Sequence, residues 1–271
     1  MLILLITGVN ATNAQKKFEW GINVGGSFPV GAFSKINYNS TNLSSDCGLF
    51  DEDVSGGASI GFNVGAEVIL PLKNENLGLF LSADLHYNGI KSDTKAYLTD
   101  MCNYLANLWG QQLIDAGEHL QSSTCTLDKT PAYINIPILA GVRYSFDISD
   151  GMKLFAEAGI GLNIRKITSW QMTGTQKYIF SDYSEDTWLK NVETFSYETS
   201  STFALKIGAG IHLTEDILLS ANYYYLGAGD VSAKITAETS AEYVTPNTSS
   251  QYMKLKTINP TMFIVKVGYT F

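Results

Sequence analysis

The feature that most constrains this chain is a strict alternation of apolar and polar residues along eight separate stretches. A period of two predicts β-strands, and no helical periodicity competes with it in these stretches. Each stretch has at least the roughly 9–11 residues that a tilted strand needs to cross a bilayer. The predicted strands cover residues 18–28, 57–71, 77–91, 132–147, 152–166, 201–214, 216–228 and 259–271.

The connections between these strands alternate in length. Short turns lie at 73–76, 149–151 and 215–216, whereas the connections 29–56, 92–131, 167–200 and 229–258 are long. A soluble sandwich has no reason to place all its long loops at one end, but a barrel assembled from the periplasm has one. The sequence therefore predicts an all-β protein, an eight-stranded antiparallel transmembrane up-and-down β-barrel with four long extracellular loops and short periplasmic turns.

The two faces of each strand indicate which medium it contacts. In the second strand, Phe62, Val64 and Val68 share one face, and Asn63 and Glu67 share the other. A soluble barrel would point the apolar face inward, whereas a membrane barrel points it outward. The polar faces are rich in glycine, and charged residues make up only 16% of the chain, against about 25% in soluble proteins. We therefore expect the apolar faces to contact lipid.

The amino terminus has the pattern of an export signal. Residues 2–9 are apolar, and Thr12-Asn13-Ala14-Gln15 offers a small-x-small cleavage site. This predicts a signal peptide over 1–14, cleaved after Ala14, and a barrel domain over 15–271. A short buried strand is the alternative.

Charge and motif content exclude several functions. A net charge of −8 and a pI near 4.9 argue against a nucleic-acid partner. No nucleotide-binding or metal-binding motif is present, so no cofactor and no metal are predicted. The long connections are acidic and rich in Ser, Thr, Asn and Tyr, which suits polar or cation-bridged contacts with lipopolysaccharide.

Charged residues on the inward faces form a predicted interior network. An eight-stranded barrel is only wide enough for side chains to fill, so charges inside it must pair. We predict an ion-pair and hydrogen-bond core, with a narrow or gated ion path as the alternative. The inward residues are Glu19, Glu67, Asp84, His86, Arg143, Lys153, Glu157, Arg165, Lys206, His212 and Lys266.

The second long connection contains two further features. Leu98, Met101, Leu105 and Leu108 recur at helical spacing, which predicts an amphipathic helix at about 96–109 that caps the barrel mouth. Cys102 and Cys125 could form a disulfide across this connection, leaving Cys47 free, or Cys47 could pair across loops.

Three segments resemble a known family. The last strand ends at Phe271 with Phe263, Val265, Val267 and Tyr269 before it, and resembles the signal read by the outer-membrane barrel-assembly machinery. The run Tyr133-Ile134-Asn135-Ile136-Pro137-Ile138, together with segments 20–26 and 155–161, resembles the PorT-like outer-membrane β-barrels of Bacteroidota. The resemblance implies a bacterial outer-membrane location, and lipid, lipopolysaccharide and the assembly machinery as partners.

The predicted function is a non-enzymatic outer-membrane protein with a structural or surface-interaction role carried by its extracellular loops. A small porin-like pore is the first alternative, although wide lumens need about 16 strands. A lipid-modifying enzyme is the second. A hydrolase could use His119 with Ser122 or Ser123, but no Gly-x-Ser-x-Gly motif is present.

Overall fold

The structure is a computed structural model that describes residues 18–35, 56–72, 76–149, 152–179, 186–242, 244–257 and 259–271. The predicted signal peptide and Cys47 lie outside these residues.

Eight strands close into one barrel, and each pairs antiparallel with the next barrel strand along the chain. They are β1 (Glu19–Val30), β2 (Gly61–Pro71), β3 (Leu77–Asn88), β5 (Tyr133–Ser149), β6 (Met152–Ile167), β9 (Ser200–His212), β10 (Ile217–Tyr225) and β13 (Thr261–Thr270). The predicted eight-stranded up-and-down barrel is confirmed.

The barrel closes where its first and last strands meet. β1 and β13 pair in register from Gly21–Thr270 to Val30–Thr261. Beyond the ladder, the Phe271 N–H donates to the Trp20 carbonyl at 2.8 Å, and the two rings stack with centroids 4.2 Å apart. Closure pairs every barrel strand on both sides, so no open edge faces the lipid.

The barrel has its apolar side chains outside and its polar side chains inside. On β1, Val24 is 58% exposed while its neighbour Asn23 is 7% exposed. The same inversion places Lys206 and Lys266 inside, at 2% and 3% exposure. A water-soluble barrel would show the reverse, so the predicted lipid-facing orientation of the apolar faces is confirmed.

Three of the four long connections differ from the loops we expected. They continue the barrel strands outward into an open sheet with the order β12-β11-β8-β7-β4. Its strands are β4 (His119–Lys129), β7 (Trp170–Ile179), β8 (Asp186–Tyr197), β11 (Gly229–Ala241) and β12 (Val244–Thr257). Their composition is polar, but threonine favours extended backbone, and each strand continues a barrel strand after a short break. In the first long connection, β1 runs to Val30 and a 3₁₀ helix follows at Gly31–Ser34.

The helix of the second connection, α1 (Ser92–Asp115), is longer than predicted. It packs along β4 and β7 instead of capping the barrel mouth. Its buried side includes Leu98, Met101 and Leu105, but Leu108 is 44% exposed. No helix in the described ranges is both long and apolar enough to cross a bilayer.

An aromatic cluster lies where the barrel meets the extracellular sheet. Trp170 stacks on Phe195 with centroids 3.9 Å apart, and its Nε1–H donates to the Tyr197 hydroxyl at 2.8 Å. Tyr133 donates to the Gly56 carbonyl at 2.8 Å, and Phe33 packs edge-on against the Tyr133 ring. These side chains are buried and fill the outer end of the barrel.

Candidate functional site

The barrel interior contains a chain of ion pairs around Arg143 on β5. Its Nη2 lies 2.8 Å from Oε2 of Glu67 on β2 and 2.6 Å from Oε2 of Glu157 on β6. The other oxygen of Glu157 lies 2.6 Å from Nζ of Lys206 on β9. One chain of charges thus joins β2, β5, β6 and β9 inside the barrel.

A second interior cluster surrounds Asp84 on β3. Lys266 Nζ on β13 lies 2.6 Å from Oδ1 of Asp84, and Tyr224 on β10 donates its hydroxyl to Oδ2 at 2.8 Å. Lys266 also donates to the Tyr224 hydroxyl at 2.9 Å. The His86 ring packs against the Tyr224 ring, and its Nδ1 lies 3.2 Å from Nδ2 of Asn63. Since β10 and β3 occupy opposite positions in the barrel order, this cluster crosses the lumen.

The two clusters balance in charge. Glu67, Asp84 and Glu157 supply three negative charges, while Arg143, Lys206 and Lys266 supply three positive charges. All six side chains are 8% exposed or less, so each charge loses its hydration. Close pairing offsets that cost, as a buried charge requires.

Aromatic rings fill the space beside the ion pairs. Phe80 lies over Gly141 and Gly159, where an added Cβ at either glycine would come within 2.7 Å of the ring. Lys206 Nζ lies 4.8 Å from the centre of the Phe80 ring, and the Arg143 guanidinium lies 4.3 Å from that of Phe155. The inward glycines therefore make room for rings that fill the lumen.

Arg165 forms a separate contact nearer the extracellular end. It is 2% exposed and donates to the carbonyl of Gly227, which has φ +67°. Asn163 on the same strand donates to Asn135 at 3.0 Å. These bonds connect β5 and β6 to the segment that follows β10.

Three of the predicted interior residues lie outside the buried network. Glu19 and Lys153 are exposed at the periplasmic rim, and Lys153 is 3.8 Å from Asp147. His212 is half-buried, with its ring 5.4 Å from that of Phe155. All three share the parity of the inward-facing residues on their strands, but they sit at strand ends beyond the packed section.

Sequence reasoning missed several residues that close the lumen. Tyr224 lies between Tyr223 and Tyr225 in a run of three tyrosines. Its parity matches that of the buried Ser220 and Asn222, and this signal could have identified it. Phe80 and Phe155 were not predicted as interior residues because they are apolar residues on the polar faces.

The extracellular sheet has one covered and one open face. Cys125 on β4 forms a disulfide with Cys102 on α1, with Cα atoms 5.5 Å apart, which attaches the helix to its face of the sheet. Trp109 of α1 packs on Gly174 of that face. The opposite face has hydroxyl and lysine side chains, and its members on β4, β7 and β8 include Ser122, Thr124, Thr126, Thr173, Thr175, Lys177, Trp188, Lys190 and Thr194.

Burial perturbs two ionisable groups of this sheet. Desolvation raises the pKa of Glu193, which lies across from Met172 on β7 and Ala237 on β11. Desolvation also raises the pKa of Tyr197, well above its ordinary value. No cationic side chain of the described residues offsets the desolvation of either group.

The residues considered for hydrolysis lie along β4, and no hydrogen bond joins them to one another among the described residues. His119 is exposed at the start of β4, and the Ser123 hydroxyl donates to the Ala106 carbonyl at 2.5 Å. Within the described part of the chain, no group of three or more His, Cys, Asp or Glu side chains could hold a metal ion.

The chain is similar to several solved structures. Ail, the attachment invasion locus protein of Yersinia pestis, is 13% identical, with 94% of this chain and 99% of that chain covered and a TM-score of 0.36. OprG from Pseudomonas aeruginosa is 13% identical, with 95% and 98% covered and a TM-score of 0.40. Neisserial surface protein A is 10% identical, with 94% and 96% covered and a TM-score of 0.33. No curated protein sequence matches this chain.

The sequence itself matches a family model over residues 11–232, described as the outer membrane protein beta-barrel domain. This span includes seven of the eight barrel strands and, of the extracellular sheet, β4, β7, β8 and the first residues of β11. The chain therefore belongs to the outer membrane protein beta-barrel domain family and is a protein of the bacterial outer membrane.

Proposed function

We propose that this chain is a non-enzymatic surface protein, in which the barrel is a packed membrane anchor and the extracellular sheet with α1 is the interacting part. The observation that carries the proposal is the contact between Tyr224 and Asp84 across the barrel lumen. A solute passing through would have to displace this hydrogen bond and the Lys266–Asp84 ion pair beside it.

The filled interior supports the anchor role over a pore. The ion pairs, Phe80 and Phe155 occupy the middle of the lumen, and the aromatic cluster around Trp170 occupies its outer end. Opening a path would leave buried charges such as Glu157 and Lys206 without partners, at a cost of several kcal/mol each. We therefore assign the function to the region outside the membrane.

The construction of the extracellular unit supports a display role. Its strands continue β5, β6, β9, β10 and β13 with short breaks, so its position is fixed by the barrel. The Cys102–Cys125 disulfide attaches α1 to this sheet. A scaffold of this kind holds exposed side chains at fixed positions, as binding surfaces require.

The partners follow from the same proposal. The exposed apolar wall contacts outer-membrane lipid, and lipopolysaccharide surrounds the extracellular unit. The barrel-assembly machinery reads the last strand, whose alternate residues Phe263, Val265, Val267, Tyr269 and Phe271 all project outward. An origin in Bacteroidota stays a prediction from the motif resemblance.

Two assays of the full-length protein in liposomes test this function. We expect no swelling of the liposomes in iso-osmotic arabinose and no turnover of radiolabelled lipid A. A porin reconstituted at the same protein-to-lipid ratio is the positive control for swelling. Swelling at the porin's rate would show that the protein is a pore. Release of labelled acyl chains would show that it is a lipid-modifying enzyme.

A further inference from the structure

A small group of side chains on the open face of the sheet combines two lysines, two hydroxyls and an indole. The ladders place Lys177 on β7 opposite Trp188 on β8, and Thr175 opposite Lys190. Ser122 on β4 lies opposite Lys177 on the other side. We call Ser122, Thr175, Lys177, Trp188 and Lys190 the distal patch. It lies on the face of the sheet opposite α1.

The two lysines of the distal patch are exposed and unpaired. Neither forms an ion pair with another residue of the described ranges. Two acidic residues share the register of this face: Asp186 on β8, across from Ile179, and Glu238 on β11, across from Val192. Because neither lysine is ion-paired, the two neighbouring ammonium groups can bind an anionic ligand.

The indole of Trp188 is available for stacking. It is 36% exposed, and no ring or cation of the described residues lies on it. The other large aromatic residue of this face, Tyr252, differs because Lys234 Nζ lies 5.7 Å from the centre of its ring. A free indole beside hydroxyls and ammonium groups can pack on the C–H face of a sugar ring while its polar edges are hydrogen-bonded.

The height of the patch excludes the lipid headgroups as the anionic ligand. Ile164 is the last strongly exposed aliphatic residue on β6, and Lys177 follows it by 13 positions along β6 and β7. At about 3.3 Å per residue this is roughly 40 Å along the strands, or about 30 Å above the apolar wall at a tilt of about 45°. Only a ligand that extends away from the membrane reaches this height.

The charge of the whole chain limits how anionic that ligand can be. The net charge of −8 repels a densely charged polymer, and the patch offers only two cations. A saccharide chain with widely spaced carboxylates satisfies both conditions, because it presents one charge at a time to the lysines and neutral sugar rings to Trp188.

We propose that the distal patch binds a sparsely carboxylated polysaccharide of the bacterium's own surface layer. Trp188 stacks on a sugar ring, Lys177 and Lys190 pair with its carboxylate, and Ser122 and Thr175 accept or donate hydrogen bonds at its hydroxyls. The bacterium's own layer is the polysaccharide permanently present at this height above its membrane. This inference rests on the proposed surface role and names its ligand class.

Binding to the mature protein in lipid nanodiscs tests the proposal, with oligomers of unsulfated chondroitin as the probe because they carry one carboxylate for every two sugar rings. We expect Trp188→Ala and the pair Lys177→Gln with Lys190→Gln each to weaken binding by about five- to tenfold. The matched controls on the same face are Tyr252→Ala and the pair Lys234→Gln with Lys254→Gln, which we expect to bind as the wild type does. Neutral dextran and polyglutamate should bind weakly, since each lacks one of the two recognised features.

The outcomes separate this proposal from the anchor role. If the patch variants and the control variants lost affinity equally, the interaction would be nonspecific charge attraction. The same would follow if polyglutamate bound as tightly as the saccharide probe. Binding of chondroitin without binding of polysaccharide extracted from the producing strain would overturn the assigned source. Absence of any chondroitin binding would overturn the ligand class, and the liposome assays would still decide independently whether the barrel is closed.

Discussion

The hydroxyl of Tyr224 donates a 2.8 Å hydrogen bond to Asp84, 140 residues earlier in the chain. The two residues project from β10 and β3, which occupy opposite positions in the barrel order. Lys266 on β13 contacts both groups, at 2.6 Å from Asp84 and 2.9 Å from the tyrosine hydroxyl. Three strands are thus joined across the lumen at one point, and a membrane barrel with this contact cannot be an open tube.

Removing the Tyr224 hydroxyl should destabilise the barrel without changing its shape. Tyr224→Phe leaves one oxygen of the buried Asp84 without its donor, and we expect a loss of about 1–3 kcal/mol in the free energy of unfolding. Urea unfolding in detergent micelles measures it. The control is Tyr223→Phe, whose ring packs against Phe263 on the lipid-facing side and whose stability should match the wild type. Equal stability of Tyr224→Phe would contradict the role of this contact.

The ion pairs of Arg143 should be strongly coupled. Arg143→Met leaves Glu67 without its cation and Glu157 with Lys206 alone, and we expect a loss of about 3–5 kcal/mol. Adding Glu67→Gln to this variant should restore part of the loss, because it removes one uncompensated carboxylate. A double-mutant cycle of unfolding free energies measures the coupling. Additive effects would show that the two side chains do not interact.

The barrel could be predicted from the sequence because its physical requirements are local and repetitive. Alternation along stretches such as 60–70 distinguishes the lipid face from the interior, and the short turns fix the strand order. Parity also places Glu67, Asp84, Arg143 and Lys266 inside the barrel without any knowledge of their partners. The specific pairs depend on how the strands are staggered around the barrel, which a single sequence does not specify.

The extracellular sheet could not be predicted in the same way. The apolar face of its strands is interrupted, since on β7 Gly174 and Gln176 separate Met172 from Tyr178. These strands form because each hairpin extends a ladder already started in the barrel, and because α1 covers one face. Glu19 and Lys153 show another limit of prediction from sequence. Parity indicates which side of a strand a residue is on, but it does not indicate how far along the barrel axis the residue lies.

The disulfide should control the attachment of α1 to the sheet. Replacing Cys102 and Cys125 with serine removes a cross-link over 23 residues, which we expect to cost about 3 kcal/mol in local stability. Tryptic cleavage at the exposed Lys95 should then become about tenfold faster or more, as followed by mass spectrometry. Cys47→Ser is the control and should cleave at the wild-type rate. An unchanged rate in the double variant would mean that packing alone holds the helix.

Glu193 should make the extracellular sheet less stable as the pH rises. Its pKa is raised by desolvation, so the folded protein retains a proton that the unfolded chain releases. The stability that the neutral carboxyl contributes is therefore present below the ordinary pKa of 4.5 and is lost as the pH rises through the folded-state pKa. Glu193→Gln should be more stable than the wild type at neutral pH and equal to it in acid.

Thermal unfolding followed by circular dichroism across this pH range tests the prediction, with Glu238→Gln on the exposed face as the control. A stability difference between the wild type and Glu193→Gln that stays constant with pH would contradict the desolvation of this carboxyl.

Single-channel recording in planar bilayers tests the closed barrel most directly. We predict that the mature wild-type protein produces no unitary current steps at potentials that open a porin control, because Tyr224, Asp84 and Lys266 meet across the lumen. Stable current steps in the wild type, with an amplitude that Asp84→Asn or Lys266→Met changes, would show that ions pass through this network and would contradict the account.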